Sequence, residues 1–405
     1  MFRGNYIGAE GAYPGGGSTR METDDDTLER PVDIPSRVVT QHLVDPPAAL
    51  LAEWDRLVTR STGTDVTQLS AWARIRAMAG YTPSYLFAYQ DGRIVGGALV
   101  LRRRLFGVLR IKYLPYGPIV DPDSSCPAMV ALALVDELVE LASPMGMTCI
   151  QPPEGADQIS EALLERGFRP SRAGIAPAGS YRLDLTPPLE DIRSGFSKRL
   201  KSWTNRWPSK GVSVRQSDAR ELPLLLELMQ HTGARHGFQP PTLEYVNLLY
   251  RELSSGGHAA LFIGEVNGVP VSADLVTVVG GMVRGRLGGF NGDGEAGKLS
   301  VPAAVRWEII KWAKEQGYRW LDFGGLPERM LDDMIERGIH SSDDWPNAQR
   351  AKLAFNGTPF RYPTAVELIR PFPVRLAYDF LRRNKVGARL VAAVKVMLRG
   401  QFRHK

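Results

Sequence analysis

GRIVGGALV (residues 92–100) and GVPVSADLV (268–276) decide how this chain is read. Each segment begins on the second residue of a turn dipeptide, Asp91-Gly92 and Asn267-Gly268. Such dipeptides join two strands in a tight hairpin. Gly, Val at +3, Leu at +7 and Val at +8 coincide between the two stretches. A second landmark repeats at nearly the same offset. Pro127 lies 35 residues after Gly92, and Pro302 lies 34 residues after Gly268. Proline at the first turn of a helix marks its start. Two matches at one offset point to an internal duplication.

The flanking sequence follows the same grammar twice. SYLFAYQ (84–90) and AALFIGEV (259–266) read as the strands preceding the two turns. LRIKYLPYGPIV (109–120) and MVRGRLGGFN (282–291) read as further strands. MVALALVDELVELA (129–142) and VPAAVRWEIIKWAKEQG (301–317) carry the apolar spacing of helices, the second ending near Gly317. MTCIQ (147–151) and YRWLDFGGL (318–326) follow as strands. The expected organisation is a tail over 1–37, a first lobe over 38–185, a second lobe over 186–360 and a basic C-terminal segment over 361–405 that packs on the first lobe. The tail is rich in Gly, Pro and charge and lacks periodicity.

The charge is unevenly placed. Of 50 basic residues, seven lie between Arg193 and Arg215 with no acid among them, and ten lie between Arg370 and Lys405 with Asp379 alone. The rest of the chain is net acidic. Local basicity of this kind points to an anionic partner. Cys126 and Cys149 are too few for a disulfide scaffold or a Cys-rich zinc site. No apolar run approaches the ~18 residues of a membrane span, and no apolar signal segment opens the chain. A cytoplasmic protein is expected, peripheral at the inner membrane face if the basic C-terminus rests there.

A strand pair, a third strand, a helix and a fourth strand resemble the core of the GNAT acyltransferase fold. The expected fold class is therefore α/β (α+β), with two tandem GNAT-like lobes and a C-terminal helix returning to the first. Several motifs sharpen the resemblance to Fem-type aminoacyltransferases, which carry tandem GNAT lobes and move amino acids from charged tRNA to peptidoglycan precursors. YLPYGPIVD (113–121) resembles the family's Pro-x-Gly-Pro segment. SYRLDL (180–185) followed by FSKRLKSWTNRWPSKGVSV (196–214) is similar to its lobe-to-lobe join, TGARHGF (232–238) to its Arg-bearing helix end, and GYRWLDFGGL (317–326) to its Gly-to-Gly-Gly strand. AKLAFNGTPFRYPTAVELIRPF (351–372) resembles the closing Lys-x-x-Phe segment.

The resemblance implies site residues. Lys352 stands where the family has a lysine near the acceptor phosphates or the reacting carbonyl, suited to stabilising charge in acyl transfer. Asp121 is the second catalytic candidate, to hold or deprotonate the attacking amine, with Tyr116 on the acceptor. Lys198, Arg199, Lys201 and Arg206, interleaved with Phe196, Trp203 and Trp207, suit nucleic acid or a nucleotide diphosphate. Arg235 is a further phosphate candidate, although the family's following tyrosine is here Gln239. The bland readings are a solvated basic face, a turn aspartate before Pro122 and core aromatics.

GDGEAGKL (292–299) nearly spells a phosphate-binding P-loop, but Leu299 stands where the metal-binding hydroxyl belongs. His231 and His236 lack metal-ligand spacing, so no metal is expected, and no organic cofactor either. The segments where acetyl-CoA enzymes of this fold cradle a pyrophosphate, NGDGEAGKLSVP (291–302) and IVDPDSSCP (119–127), lack the Arg/Gln-led glycine spacing. Aminoacyl-tRNA is therefore the expected donor and a peptidoglycan precursor or another amine the expected acceptor. An acyl-CoA-dependent N-acyltransferase, an amide-forming enzyme of antibiotic biosynthesis or resistance, and a non-catalytic RNA- or membrane-binding adaptor remain alternatives.

Overall fold

A computed structural model describes residues 37–399; the expected tail before them, and the last residues of the basic C-terminal segment, lie outside the described residues. The strands of the first half are β1 (Val39–Leu43), β2 (Thr82–Gln90), β3 (Arg93–Leu105), β4 (Leu109–Pro115), β5 (Ile119–Val120), β6 (Gly146–Gln151) and β7 (Arg169–Pro170). Those of the second half are β8 (Gly179–Asp184), β9 (Val212–Ser217), β10 (Ala259–Val266), β11 (Val269–Val279), β12 (Met282–Phe290), β13 (Trp320–Gly325), β14 (Thr358–Arg361) and β15 (Val366–Arg370). They form two mixed sheets, ordered β1-β2-β3-β4-β6-β15-β7, with β5 on β3, and β14-β8-β13-β12-β11-β10-β9.

The duplication is plain in this topology. The hairpins β2–β3 and β10–β11 turn through Asp91-Gly92 and Asn267-Gly268, all four residues with positive φ, the conformation that selects Gly and Asn or Asp there. Each sheet has one parallel pair, β4–β6 and β12–β13. The Pro127–Glu140 and Val301–Glu315 helices lie between the partners of each pair in sequence. The latter covers one face of its sheet with Val305, Ile309 and Ile310, all buried. The expected fold class of two GNAT-like lobes is met.

The lobe boundaries differ from those read in sequence. β8, assigned to the first lobe, is hydrogen-bonded antiparallel to β13 in the second sheet. Reciprocally, β15 crosses back and pairs antiparallel with β6. The lobes thus exchange strands at equivalent positions. Periodicity identifies a strand but carries no information on which distant edge it joins. Beyond β15, the helices Phe372–Arg383 and Lys385–Arg399 turn back on the first lobe, where Arg103 and Arg76 donate to the carbonyls of Met397 (2.9 Å) and Leu398 (2.7 Å).

A buried ionic cluster ties the lobes. Asp65, in the first lobe, caps a single helical turn by accepting from the Thr67 N–H at 3.0 Å. Its carboxylate also pairs with Arg284 and, at 2.9 Å, with Arg286, both on β12. Arg284 continues to Asp322 on β13 (2.9 Å) and to the Tyr362 hydroxyl (2.9 Å). Burial pushes the Asp65 carboxyl up, but Arg286 and Arg284 overcome it and hold the group well below the usual carboxylate range. Removing one partner of such a buried set strands the other charges. Asp65→Ala is therefore expected to lower the unfolding free energy in urea by about 3–5 kcal/mol. A loss under about 1 kcal/mol, the size of an exposed pair, would contradict this role.

Candidate active site

In the second lobe the parallel pair separates. β12 and β13 are bonded only through Met282↔Trp320, Val283↔Leu321 and Arg284↔Asp322, after which β12 runs on to Phe290 while β13 stays paired with β8, with a register shift at the Gly324 turn. The gap is a groove of about 210 Å³ between the two strands, floored by Asp274 and Val276 of β11 and flanked by Arg306 of the Val301–Glu315 helix. In the first lobe the corresponding pair stays laddered over six positions, Arg110↔Gly146 to Pro115↔Gln151. A further bond from the Gly117 N–H to the Gln151 carbonyl prolongs that ladder. The opening between parallel strands belongs to the second lobe.

Asp274 and Arg306 line this groove, and Lys352 stands beside it on the turn at the end of β13, close enough to feel the Arg306 charge. Asp274 lies cross-strand from Gly288, and a Cβ at residue 288 would stand 2.3 Å from its Oδ1, so the carboxylate fits only over glycine. Burial raises the Asp274 carboxyl to about 6, against the pull of Arg306. Lys352, on the Asn347–Leu353 helix, donates from Nζ to the carbonyls of Gly324 and Gly325 at 3.0 Å each. Burial, and then the like charge of Arg306, lower it to about 8. Arg306 has no ion-pair partner among the described residues. Asp322 supports the constellation from behind. Its Oδ1 accepts from the Gly324 N–H (2.7 Å) and fixes the turn that offers carbonyls to Lys352. The groove thus presents a carboxylate able to take a proton beside two cations able to stabilise a developing oxyanion.

The other expected residues fall elsewhere. Tyr116 sits in the interlobe cluster, 5.2 Å from the Arg284 guanidinium and edge-on to Tyr362 at 5.1 Å, its phenol pushed up to about 12 by burial. Asp121 is not a free carboxylate beside Tyr116. It is ion-paired with Arg60 and closes a turn by accepting from the Asp123 N–H at 3.2 Å. The acid–base role expected of Asp121 is therefore not what its surroundings provide. The bland reading, a turn aspartate, describes it. Arg235 pairs with Asp293, in the segment that nearly spells a P-loop.

On the Lys198–Arg206 helix, Lys198 and Arg199 are exposed, Lys201 caps the Ser194 carbonyl (2.7 Å) and Arg206 stacks on Trp203 at 4.9 Å. The neighbouring aromatics pack inward. Phe196 meets Trp307 and Phe355, and Trp207 donates to the Leu299 carbonyl at 2.8 Å. Among the described residues, no group of three or more His, Cys, Asp or Glu is placed to hold a metal, and no helix is long and apolar enough to cross a membrane.

Sequence reading missed Asp274 and Arg306. The signal for Asp274 was a single acid in the otherwise apolar strand VPVSADLVTVV (269–279). An unpaired ionisable group at a half-buried strand position needs either a partner or a task. Arg306, in a helix that mixes polar and apolar positions, carries no signal in the sequence.

Residues 196–343 match the acetyltransferase (GNAT) domain family, a span that holds β9 to β13. The chain is 26% identical over 228 residues to the lipid II:glycine glycyltransferase of Staphylococcus aureus (strain MRSA252), covering 53% of each chain. It is 26% identical over 234 residues to the same-named protein of Staphylococcus haemolyticus (strain JCSC1435), covering 55% of this chain and 56% of the relative. The chain spans about half the length of the curated relatives it matches. The crystal structure of FemX superposes with a TM-score of 0.69 at 18% identity, covering 83% of this chain and 99% of that one.

Because Arg306 depresses both groups, Arg306→Gln is expected to raise the apparent pKa of Lys352 and that of Asp274 together. Competitive lysine labelling and carboxylate NMR across pH read the two shifts. A fall in either would mean that Arg306 does not face them.

Proposed function

We propose that this chain, a Fem-type protein with two GNAT lobes, transfers an amino acid from aminoacyl-tRNA to an amine of a peptidoglycan precursor, forming an amide bond in the groove between β12 and β13. The observation that carries the reading is the convergence of Asp274, Lys352 and Arg306 where the parallel strands part. Similarity to two glycyltransferases acting on lipid II supports an amino acid as the group moved and a cell-wall precursor as the acceptor.

In this reading the acceptor amine attacks the ester carbonyl of the charged tRNA. The new N–C bond forms, and the amine proton passes to the Asp274 carboxylate. The Lys352 ammonium, held on the Gly324 and Gly325 carbonyls, and the Arg306 guanidinium stabilise the oxyanion. The C–O bond then breaks, and the departing ribose hydroxyl takes the proton back from Asp274. Juxtaposing ester and amine in a narrow groove supplies the remainder of the acceleration.

The Lys198–Arg206 helix, with Lys198, Arg199 and Arg206 outward, is the proposed tRNA-facing surface. Asp293 and Glu295, in the loop before the Val301–Glu315 helix, disfavour the pyrophosphate of an acyl-CoA at that helix start. Tyr116, in the interlobe cluster, and Arg235, paired with Asp293, do not line the groove and are assigned no chemical step. Asp121 is assigned no chemical step.

The decisive assay offers the protein amino acids as charged tRNAs, and separately acetyl-CoA, with UDP-linked muropeptide and lipid-linked precursor as acceptors. RNase-sensitive label in an acceptor is expected; label from acetyl-CoA alone would overturn the tRNA reading. Lys352→Met is expected to lower kcat about 10²–10³-fold and Asp274→Asn about 10²–10⁴-fold, with folding intact by circular dichroism. The rate needs Asp274 ionised and Lys352 protonated. Its pH profile should therefore rise through about 6 and fall above about 8, and Asp274→Asn should erase the acid limb.

A further inference from the structure

A second and larger cavity, about 620 Å³, lies between the first-lobe sheet and the returning C-terminal helices and reaches Arg286, whose other side lines the groove. It falls within the ~300–1,000 Å³ range of ligand pockets. Its walls are mainly apolar, with Leu105, Ile111 and Met147 from the sheet facing Leu381, Val391 and Val394 from the two helices. No step of the transfer proposed above uses it.

The rim of this cavity is unusual for a soluble surface. Phe106 and Val108, at the β3–β4 turn, are 75% and 63% exposed. On the Phe372–Arg383 helix, Phe372, Leu376 and Phe380 follow at four-residue spacing and form an exposed apolar stripe. Val386 and Leu390 continue it on the next helix, with Val386 77% exposed. Phe106 and Leu390 belong both to this rim and to the cavity lining, so the apolar surface runs inward without a break. Contiguous exposed apolar patches of this kind mark interaction sites.

The charges around the rim are of one sign. Arg375, Arg383, Lys385 and Arg389 are exposed on the helices, and the only acid between Arg370 and Arg399, Asp379, is occupied by Arg169 at 2.7 Å. At the hairpin tip the exposed Arg104 stands directly opposite the exposed Arg110, while Lys112, farther from the tip, is turned to the Leu141 carbonyl. Like charges in cross-strand register destabilise a hairpin. An anionic surface would neutralise this pair, which lies beside the exposed Phe106 and Val108. Nucleic acid would answer the cations but leave the phenyl and aliphatic side chains in water.

We propose that the β3–β4 tip and the Phe372–Arg383/Lys385–Arg399 helix pair dock on a bilayer with anionic headgroups, and that the cavity behind them receives a hydrocarbon chain from a lipid of that bilayer. The apolar stripe enters the headgroup boundary, the flanking Arg and Lys meet lipid phosphates, and the chain passes over Phe106 and Leu390 into the cavity. Neither half of the proposal depends on the transfer reaction.

The test uses the full chain and vesicles of phosphatidylcholine, with or without phosphatidylglycerol. Co-sedimentation is expected with the anionic vesicles only, weakening as salt rises. Arg383→Gln with Arg389→Gln should lower partitioning about 25-fold, each basic residue at an anionic surface contributing about fivefold. Phe380→Asp with Val386→Asp should abolish it while the thermal melt is unchanged. Phosphatidylglycerol with brominated chains should quench Trp72, which lines the cavity, and Trp72→Phe should remove that part of the quench. Sedimentation without a Trp72 contribution overturns the cavity half. Equal binding of the Asp variant, or no binding to anionic vesicles, overturns the docking half. A shift to a dimer, or tRNA binding lost with the same Asp substitutions, also overturns it by giving the face another occupant.

Discussion

The Asp65 carboxylate between Arg284 and Arg286 is the contact on which the rest of the molecule depends. A buried acid with two buried cations is unfavourable in isolation and becomes stable only when every member is paired. Here the pairing spans both lobes. It sets β12 against the first lobe at the point where β12 loses β13 as a hydrogen-bonding partner. Through Arg284 the same network holds Asp322, and through Asp322 the Gly324 turn on which Lys352 rests. The position of the Lys352 ammonium is thus coupled to the relative placement of the lobes.

The two lobes have kept one topology and divided the work. Both retain the hairpin, the single parallel pair and the intervening helix. In the first lobe the parallel strands remain closed, and that sheet instead supports the exchanged β15 and the C-terminal helices. In the second they open around Asp274. Reciprocal exchange of β8 and β15 makes each sheet incomplete without the other half of the chain. Such an exchange raises the cost of separating the lobes and favours a rigid cleft over a hinged one.

Much of the architecture was legible because local chemistry encodes it. Asp91-Gly92 and Asn267-Gly268 require the positive φ values they adopt, and Pro127 and Pro302 begin the helices they were read to begin. Lys352 is singled out by its motif alone, and its two carbonyl contacts distinguish it from a fully solvated lysine. What was not legible rests on long-range pairing. The strand 179–184 reads the same whichever sheet it joins, and Asp121 reads as a free acid until Arg60 is found against it. Asp274 stood in plain view as an acid in an apolar strand, yet its meaning came only with Gly288 beneath it and Arg306 across the groove.

The central claim is that acyl transfer belongs to the second-lobe groove. Hydrogen exchange with a non-hydrolysable amide analogue of 3′-aminoacyl-adenosine bears on it most directly. Protection is expected along β12 and β13 and across the Asn347–Leu353 helix, lost in Arg306→Gln. Protection confined to the first-lobe segment around Tyr116 and Asp121, with the β12–β13 amides unchanged, would contradict it.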